Sequence, residues 1–191
     1  MNDATSSDDA KTPLPADSRI HALRARVRDI EDFPKPGIVF RDLTPLMGHG
    51  PSMRTCVELV CQRVAHYKPD VIVAVESRGF IFGAPVAAAL GVGFAPVRKP
   101  GKLPWRTNRQ TYDLEYGTDS LEMHADAVKP GGRVVIVDDL LATGGTAKAT
   151  AELVREQEGK VVAFVFVVEL AALRGRARLE EVAPVDALML L

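Results

Sequence analysis

Residues 134–146 read Val-Val-Ile-Val-Asp-Asp-Leu-Leu-Ala-Thr-Gly-Gly-Thr. Four consecutive β-branched residues suit a strand buried on both faces better than a helix. Such a strand forces its surroundings, because helices must cover both sides of the sheet that contains it. A helix-forming run over 147–158 follows at once, so the segment is a strand, a short loop and a helix. Two carboxylates, Asp138 and Asp139, stand where the strand surfaces. The small residues and hydroxyls of Ala142, Thr143, Gly144, Gly145 and Thr146 then lead into the helix N-terminus. Free N–H groups and the positive end of the helix dipole attract an anion there. Glycine lets the backbone come close, and the paired acids suit hydroxyls or Mg²⁺. The pattern therefore predicts a phosphate held beside a polyol or a metal.

Other strand–helix phosphate loops do not fit. A Walker A loop needs glycine where Ala142 and Ala147 stand, and a Rossmann fingerprint needs three spaced glycines where only Gly144 and Gly145 occur. A purely structural turn would account for the apolar run and the glycines. It would leave two neighbouring carboxylates repelling each other without compensation.

The rest of the chain repeats the alternation. Buried strands are expected over 71–75, 94–97, 161–168 and 187–191, with helices over 52–67 and 80–90. An N-terminal helix is expected from Ser18, with Ile20, Leu23, Val27 and Ile30 along one face, until Pro34, Pro36 and Gly37 break it. This order predicts an α/β fold, a mainly parallel sheet with helices on both faces. Residues 1–17 are expected to form a disordered tail, and 18–191 a single domain. Within it, 18–50 would form a small N-terminal hood, and 98–127, too long for a simple connection, a flap over the site.

Composition narrows the function classes. The 191 residues carry a net charge of −1 and no basic stripe, which argues against nucleic acid and anionic membranes. The polar, acidic N-terminus does not read as a secretory signal, and no apolar run is long enough to span a bilayer. A cytoplasmic protein is expected, with Cys56 and Cys61 as free thiols.

Three further groups carry chemistry. Glu76-Ser77-Arg78-Gly79 follows the strand at 71–75 and offers a hydroxyl, a guanidinium fork and a close backbone approach. A surface ion pair is the plainer account of Arg78 taken alone. Five cations crowd 98–109: Arg98, Lys99, Lys102, Arg106 and Arg109. Such a loop is either a solvated face or a basic cover that shields a polyphosphate from water. Residues 112–116 follow, where alternation puts Asp113 and Glu115 on one face; Glu115 is either an acid/base or an edge carboxylate in solvent. In 33–42, Phe40 between Val39 and Arg41 is either a core anchor or a surface on which a flat ligand stacks. The four histidines lack metal-ligand spacing.

Taken together, Phe33-Pro34-x-Pro36-Gly37-Ile38-Val39-Phe40-Arg41-Asp42, Glu76-Ser77-Arg78-Gly79-Phe80, the segments 97–104 and 112–117, and 137–146 resemble the type I phosphoribosyltransferases. The last segment is generic to the superfamily; the others resemble its adenine-specific branch. The resemblance implies transfer of a phosphoribosyl group from phosphoribosyl pyrophosphate to adenine, giving AMP and pyrophosphate, with Mg²⁺ carried mainly by substrate and water. It implies that Asp138 and Asp139 hold the ribose hydroxyls and that Ala142–Thr146 cradle the 5′-phosphate. Ser77 and Arg78 would meet the pyrophosphate, with a cis peptide before or within that loop, and Arg98, Lys99 and Lys102 would close on it. Phe40 would stack on the base while the backbone of Val39 and Arg41 reads its edge, with Glu115 as acid/base. The family resemblance also implies a homodimer. The alternatives are a phosphoribosyltransferase for a 6-oxopurine or orotate, and a regulatory protein that senses phosphoribosyl pyrophosphate; the segments at 33–42 and 97–104 argue against the first, the net charge against the second. Trp105 matches no family role.

Overall fold

A computed structural model describes residues 18–113 and 117–191 of the chain. The expected tail over 1–17 and the candidate Glu115 lie outside the described residues.

The chain opens with α1 (Ser18–Arg24), then β1 (Arg28–Ile30) and β2 (Phe40–Asp42), which pair antiparallel with Ile30 opposite Phe40. The expected N-terminal helix therefore stops early. Arg26 and Val27 donate to carbonyls only three residues back, and Arg28–Ile30 give their backbone groups to β2 instead. Val27 is still buried, but from a turn. Asp42 fixes the hairpin: its carboxylate accepts from Arg28 Nε at 3.0 Å, from Thr44 N at 2.9 Å and from Thr44 Oγ1 at 2.8 Å. Helices α2 (Thr44–Met47) and α3 (Gly50–His66) follow. The expected helix at 52–67 is the latter; α2 has too few residues to show a period.

The alternation then runs as expected through β3 (Val71–Val75), α4 (Arg78–Leu90) and β4 (Gly93–Val97). A two-stranded ribbon comes next, β5 (Thr107–Asp113) antiparallel to β6 (Thr118–His124). The chain ends with β7 (Arg133–Leu141), α5 (Gly145–Glu156), β8 (Lys160–Glu169), α6 (Gly175–Glu180) and β9 (Val185–Leu190). The five core strands form one parallel sheet in the order β4-β3-β7-β8-β9.

The period of two along the strands builds a core on each face. Ile72, Val135, Val137 and Val165 pack toward α3 and α4. Val73, Val134, Ile136, Phe164 and Phe166 pack toward α5 and β6. Each such side chain removed from water contributes about 1.5–3 kcal/mol. Leu121 and Met123 of β6 are fully buried in the second core, so the segment expected as a flap is anchored along much of its length. Lys99, Lys102 and Trp105, on the arm that precedes β5, are exposed.

Strand order fixes where a ligand can go. The chain leaves β3 toward β4 on one side and returns to β7 on the other, so the loops after β3 and β7 diverge. In parallel sheets that switch point opens a crevice beyond the strands' carboxyl ends.

Candidate active site

A cleft of about 370 Å³ lies at that switch point. Ser77, Arg78, Asp138, Asp139 and the whole of Ala142–Thr146 line it, with Glu76, Leu140 and Phe166. The N-termini of α4 and α5 both open onto it, through Arg78 and Gly145. Two sets of unpaired backbone N–H groups and two positive dipole ends thus converge on one space. The peptide bond between Glu76 and Ser77 is cis, as the family resemblance implies.

The carboxylates are not at the end of their strand. β7 continues through Asp138 and Asp139 to Leu141, pairing Asp138 with Phe166 and Leu140 with Val168. Alternation therefore separates the two acids, Asp138 on one face and Asp139 on the other. Asp138 Oδ1 accepts from the Asp139 N–H at 2.9 Å. Enclosure by surrounding protein, reinforced by the charge on Asp139, pushes the Asp138 carboxyl well above the usual carboxylate range. Asp139, with its side chain only 9% exposed, is paired with the Arg78 guanidinium. The missing compensation for two adjacent acids is thus supplied from within the protein, by the arginine of the neighbouring loop.

Gly79 has a use the sequence did not reveal. A Cβ there would lie 2.6 Å from Asp138 Oδ1, so the glycine admits the acid rather than a ligand. Gly144 takes φ of +79° before α5, where only glycine is unstrained, and a Cβ would also come 2.9 Å from the Gly175 carbonyl. Gly175 presses closer still, its Cβ position 2.1 Å from the Ala142 carbonyl. Gly175 is thus a support of the 142–146 loop. Its sequence signal, one glycine at the start of a six-residue helix, was too faint to find it.

Among the described residues, the candidates Val39, Phe40, Arg41, Arg98, Lys99 and Lys102 do not line the cleft. Phe40 stands beside a lining residue, with the Arg78 guanidinium 5.8 Å from its ring centroid and Phe33 edge-on at 5.2 Å. Phe40 is half-buried in a strand, and Val39 beside it is exposed. Arg41 is paired with Asp29 at 2.5 Å. Arg98 Nε donates to Glu76 Oε2 at 2.6 Å and its Nη1 to the Lys102 carbonyl at 3.1 Å. Lys99 is paired with Asp119, and Lys102 is exposed. Arg78, Arg98 and Lys99 are therefore each held by a carboxylate of the chain. Asp139 holds Arg78, while Glu76 and Asp119, partners that the charge pattern alone did not single out, hold Arg98 and Lys99. Among the described residues no group of three or more side chains is arranged to hold a metal ion.

Comparison with known proteins agrees with this geometry. The phosphoribosyl transferase domain family matches residues 48–187. The adenine phosphoribosyltransferase of Desulfitobacterium hafniense is 56% identical over 154 residues, covering 81% of this chain and 89% of its own. That of Carboxydothermus hydrogenoformans is 57% identical over 157 residues, covering 82% and 92%. Among solved structures, the adenine phosphoribosyltransferase of Thermoanaerobacter pseudethanolicus superposes with a TM-score of 0.87 at 49% identity, over 90% of this chain and 99% of that one. The Saccharomyces cerevisiae enzyme, solved with an imino-altritol bisphosphate and adenine, gives 0.85 at 40% identity, over 90% and 98%. A parallel sheet with a cleft at its switch point, a family match over most of the chain and relatives above half identity lead to one conclusion: the chain belongs to the type I phosphoribosyltransferase family, in its adenine phosphoribosyltransferase branch.

Proposed function

We propose that the chain transfers the phosphoribosyl group of phosphoribosyl pyrophosphate to adenine, releasing pyrophosphate and AMP, in purine salvage. The observation that carries this is the shared cleft, where two helix N-termini, a guanidinium and two carboxylates meet beside an aromatic ring. Ala142, Thr143, Gly144, Gly145 and Thr146 hold the 5′-phosphate at the N-terminus of α5. Asp138 and Asp139 accept from the ribose 2′- and 3′-hydroxyls. Ser77 and Arg78 bind the pyrophosphate at the N-terminus of α4. Arg98, Lys99 and Lys102 close over it once it competes with Glu76 and Asp119. Phe40 stacks on adenine, and the backbone of Val39 and Arg41 reads its edge.

In the reaction, the bond from the anomeric carbon to pyrophosphate breaks with its electron pair leaving on oxygen. N9 of adenine, with the ring proton on N7, supplies the pair for the new bond, and the Glu115 carboxylate takes the proton from N7. Positive charge on the ribosyl centre is favoured by the nearby carboxylates, and negative charge on the leaving group by the arginines. Mg²⁺ would be carried by substrate oxygens and water, with Asp138 and Asp139 the carboxylates lining the cleft, and would supply further neutralisation of the pyrophosphate.

The enzyme acts as a homodimer in the cytoplasm. Phe94 is exposed on edge strand β4 with Phe80 of α4 edge-on to it at 5.9 Å, and Ile81 of the same helix is exposed as well, apolar surface suited to a second copy. Among the described residues, no helix is long and apolar enough to cross a membrane. The deciding assay offers adenine, hypoxanthine, guanine and orotate separately with phosphoribosyl pyrophosphate and Mg²⁺. Adenine should be turned over far faster than the others, and preference for any other base would refute the proposal. Sedimentation of the purified chain tests the dimer.

A further inference from the structure

We propose that Tyr112 is a positioning residue that couples occupancy of the 142–146 loop to the Lys99–Asp119 pair at the start of the flap. The proposal rests on the reading of that loop as the 5′-phosphate site.

Tyr112 stands half-buried on β5, with its hydroxyl between two partners. Its Oη is 3.3 Å from Asp119 Oδ2 and 3.3 Å from Thr146 Oγ1. Asp119 also takes Lys99 on the same oxygen and the Ser120 N–H, at 2.8 Å, on the other. The Lys99 ammonium holds Asp119 below the usual carboxylate range, so Asp119 is ionised and can only accept. Tyr112 has one proton and gives it to Asp119. Its contact with Thr146 then has a single solution: the threonine hydroxyl donates to the tyrosine oxygen.

That direction cannot survive a phosphate. Thr146 lines the cleft, and a phosphate oxygen accepts hydrogen bonds as the tyrosine oxygen does. Once Thr146 turns its proton to the phosphate, its oxygen becomes an acceptor, and Tyr112 turns from Asp119 to donate to it. Asp119 is left with Lys99 as its sole side-chain donor among the described residues. Glu122 of β6 already holds the arm, through a backbone bridge to Arg98 and by accepting from the Gly101 N–H at 3.0 Å; the tightened pair adds to that hold at Lys99 until a pyrophosphate competes for it. By reciprocity, an arm so fastened favours the loop orientation that binds phosphate. Two hydroxyl rotations thus link a phosphate loop to a flap with no backbone movement in between.

Trp105, the sole tryptophan, is 62% exposed on the flap arm and reports on it. The full chain is titrated with ribose 5-phosphate, following Trp105 emission and binding heat in parallel. The wild type should give a saturable emission change at the concentrations where heat is released. Tyr112→Phe should bind ribose 5-phosphate within about three-fold of wild type, the scale of one exchanged hydrogen bond. Its emission change should shrink by roughly five-fold or more. Asp119→Asn should lose the change as well. Thr111→Val, which breaks the neighbouring Thr111–Ser120 contact of 2.9 Å within the same ribbon, should keep it. A full emission change in Tyr112→Phe, or a loss as large in Thr111→Val, overturns the coupling. Wild-type chain that binds with no emission change overturns it too. No binding heat in the wild type overturns the phosphate-loop reading, and the coupling with it.

Discussion

Replacing Gly175 by alanine places one methyl group in the support beneath the 142–146 loop. The new Cβ would stand 2.1 Å from the Ala142 carbonyl oxygen and 2.9 Å from Leu141 Cδ1. Since Cβ contacts under 3.0 Å essentially do not occur, the two backbones must separate by about 0.9 Å. No rotamer change relieves this, because the nearest neighbour is main chain. Either α6 moves outward or the end of β7 moves into the cleft. Overpacking of this kind costs about 1–3 kcal/mol, which for a chain of this size lowers Tm by roughly 2–12 °C. Where the loop takes the displacement, its N–H groups lose their alignment on the phosphate, and misplacement near 1 Å costs on the order of 100-fold in kcat/KM. Thermal unfolding followed by circular dichroism, with steady-state kinetics in phosphoribosyl pyrophosphate, measures both. Gly50→Ala is the control: it adds the same methyl at the start of α3 with nothing within 4 Å, and should change stability by less than about 0.5 kcal/mol. Unchanged Tm and kcat/KM in Gly175→Ala would show that the contact beneath the loop does not constrain it.

Three further outcomes follow from the site and core. Asp138 has its folded-state pKa raised by enclosure and by Asp139, so the free protein loses that contribution to stability as pH rises through the folded value. Asp138→Asn should therefore melt above wild type near pH 8 and converge with it toward about pH 4, while losing activity. Arg78→Ala strips Asp139 of its paired cation and the pyrophosphate of a ligand. KM for phosphoribosyl pyrophosphate should rise roughly 10- to 100-fold, and Tm of the free protein should fall. Burial pushes the Cys56 thiol up to about 12, and burial with the Glu58 charge raises Cys61 less. A thiol reagent should label at most Cys61, slowly, in the native protein and both cysteines after unfolding.

Much of the fold was legible because strands buried on both faces and amphipathic helices announce themselves by local pattern. The run at 134–137 and the one at 161–168 could only be central strands, and a chain alternating them with helices has few topologies open to it. The elements that were misread are those governed by partners far away in sequence. Val27 and Ile30 fit a helical period, yet Arg28–Ile30 pair with Phe40–Asp42, and Asp42 fastens both to α2. The segment 98–127 looked like a free flap because the cations over 98–109 are conspicuous, whereas Leu121 and Met123 of its strand β6 belong to the core.

By itself the sequence determined which groups would meet: two acids, a loop of small residues at a helix N-terminus, and a Ser-Arg pair at another. Those are local facts, since strand ends and helix starts are set by neighbouring residues. Only the tertiary structure decided how they are held apart from ligand. Arg78 lies on Asp139, Arg98 on Glu76 and Lys99 on Asp119, while Gly79 admits Asp138 and Gly175 props Ala142. Pairings between residues 20 to 61 positions apart depend on strand order and on distances below 3 Å, and no local pattern encodes either.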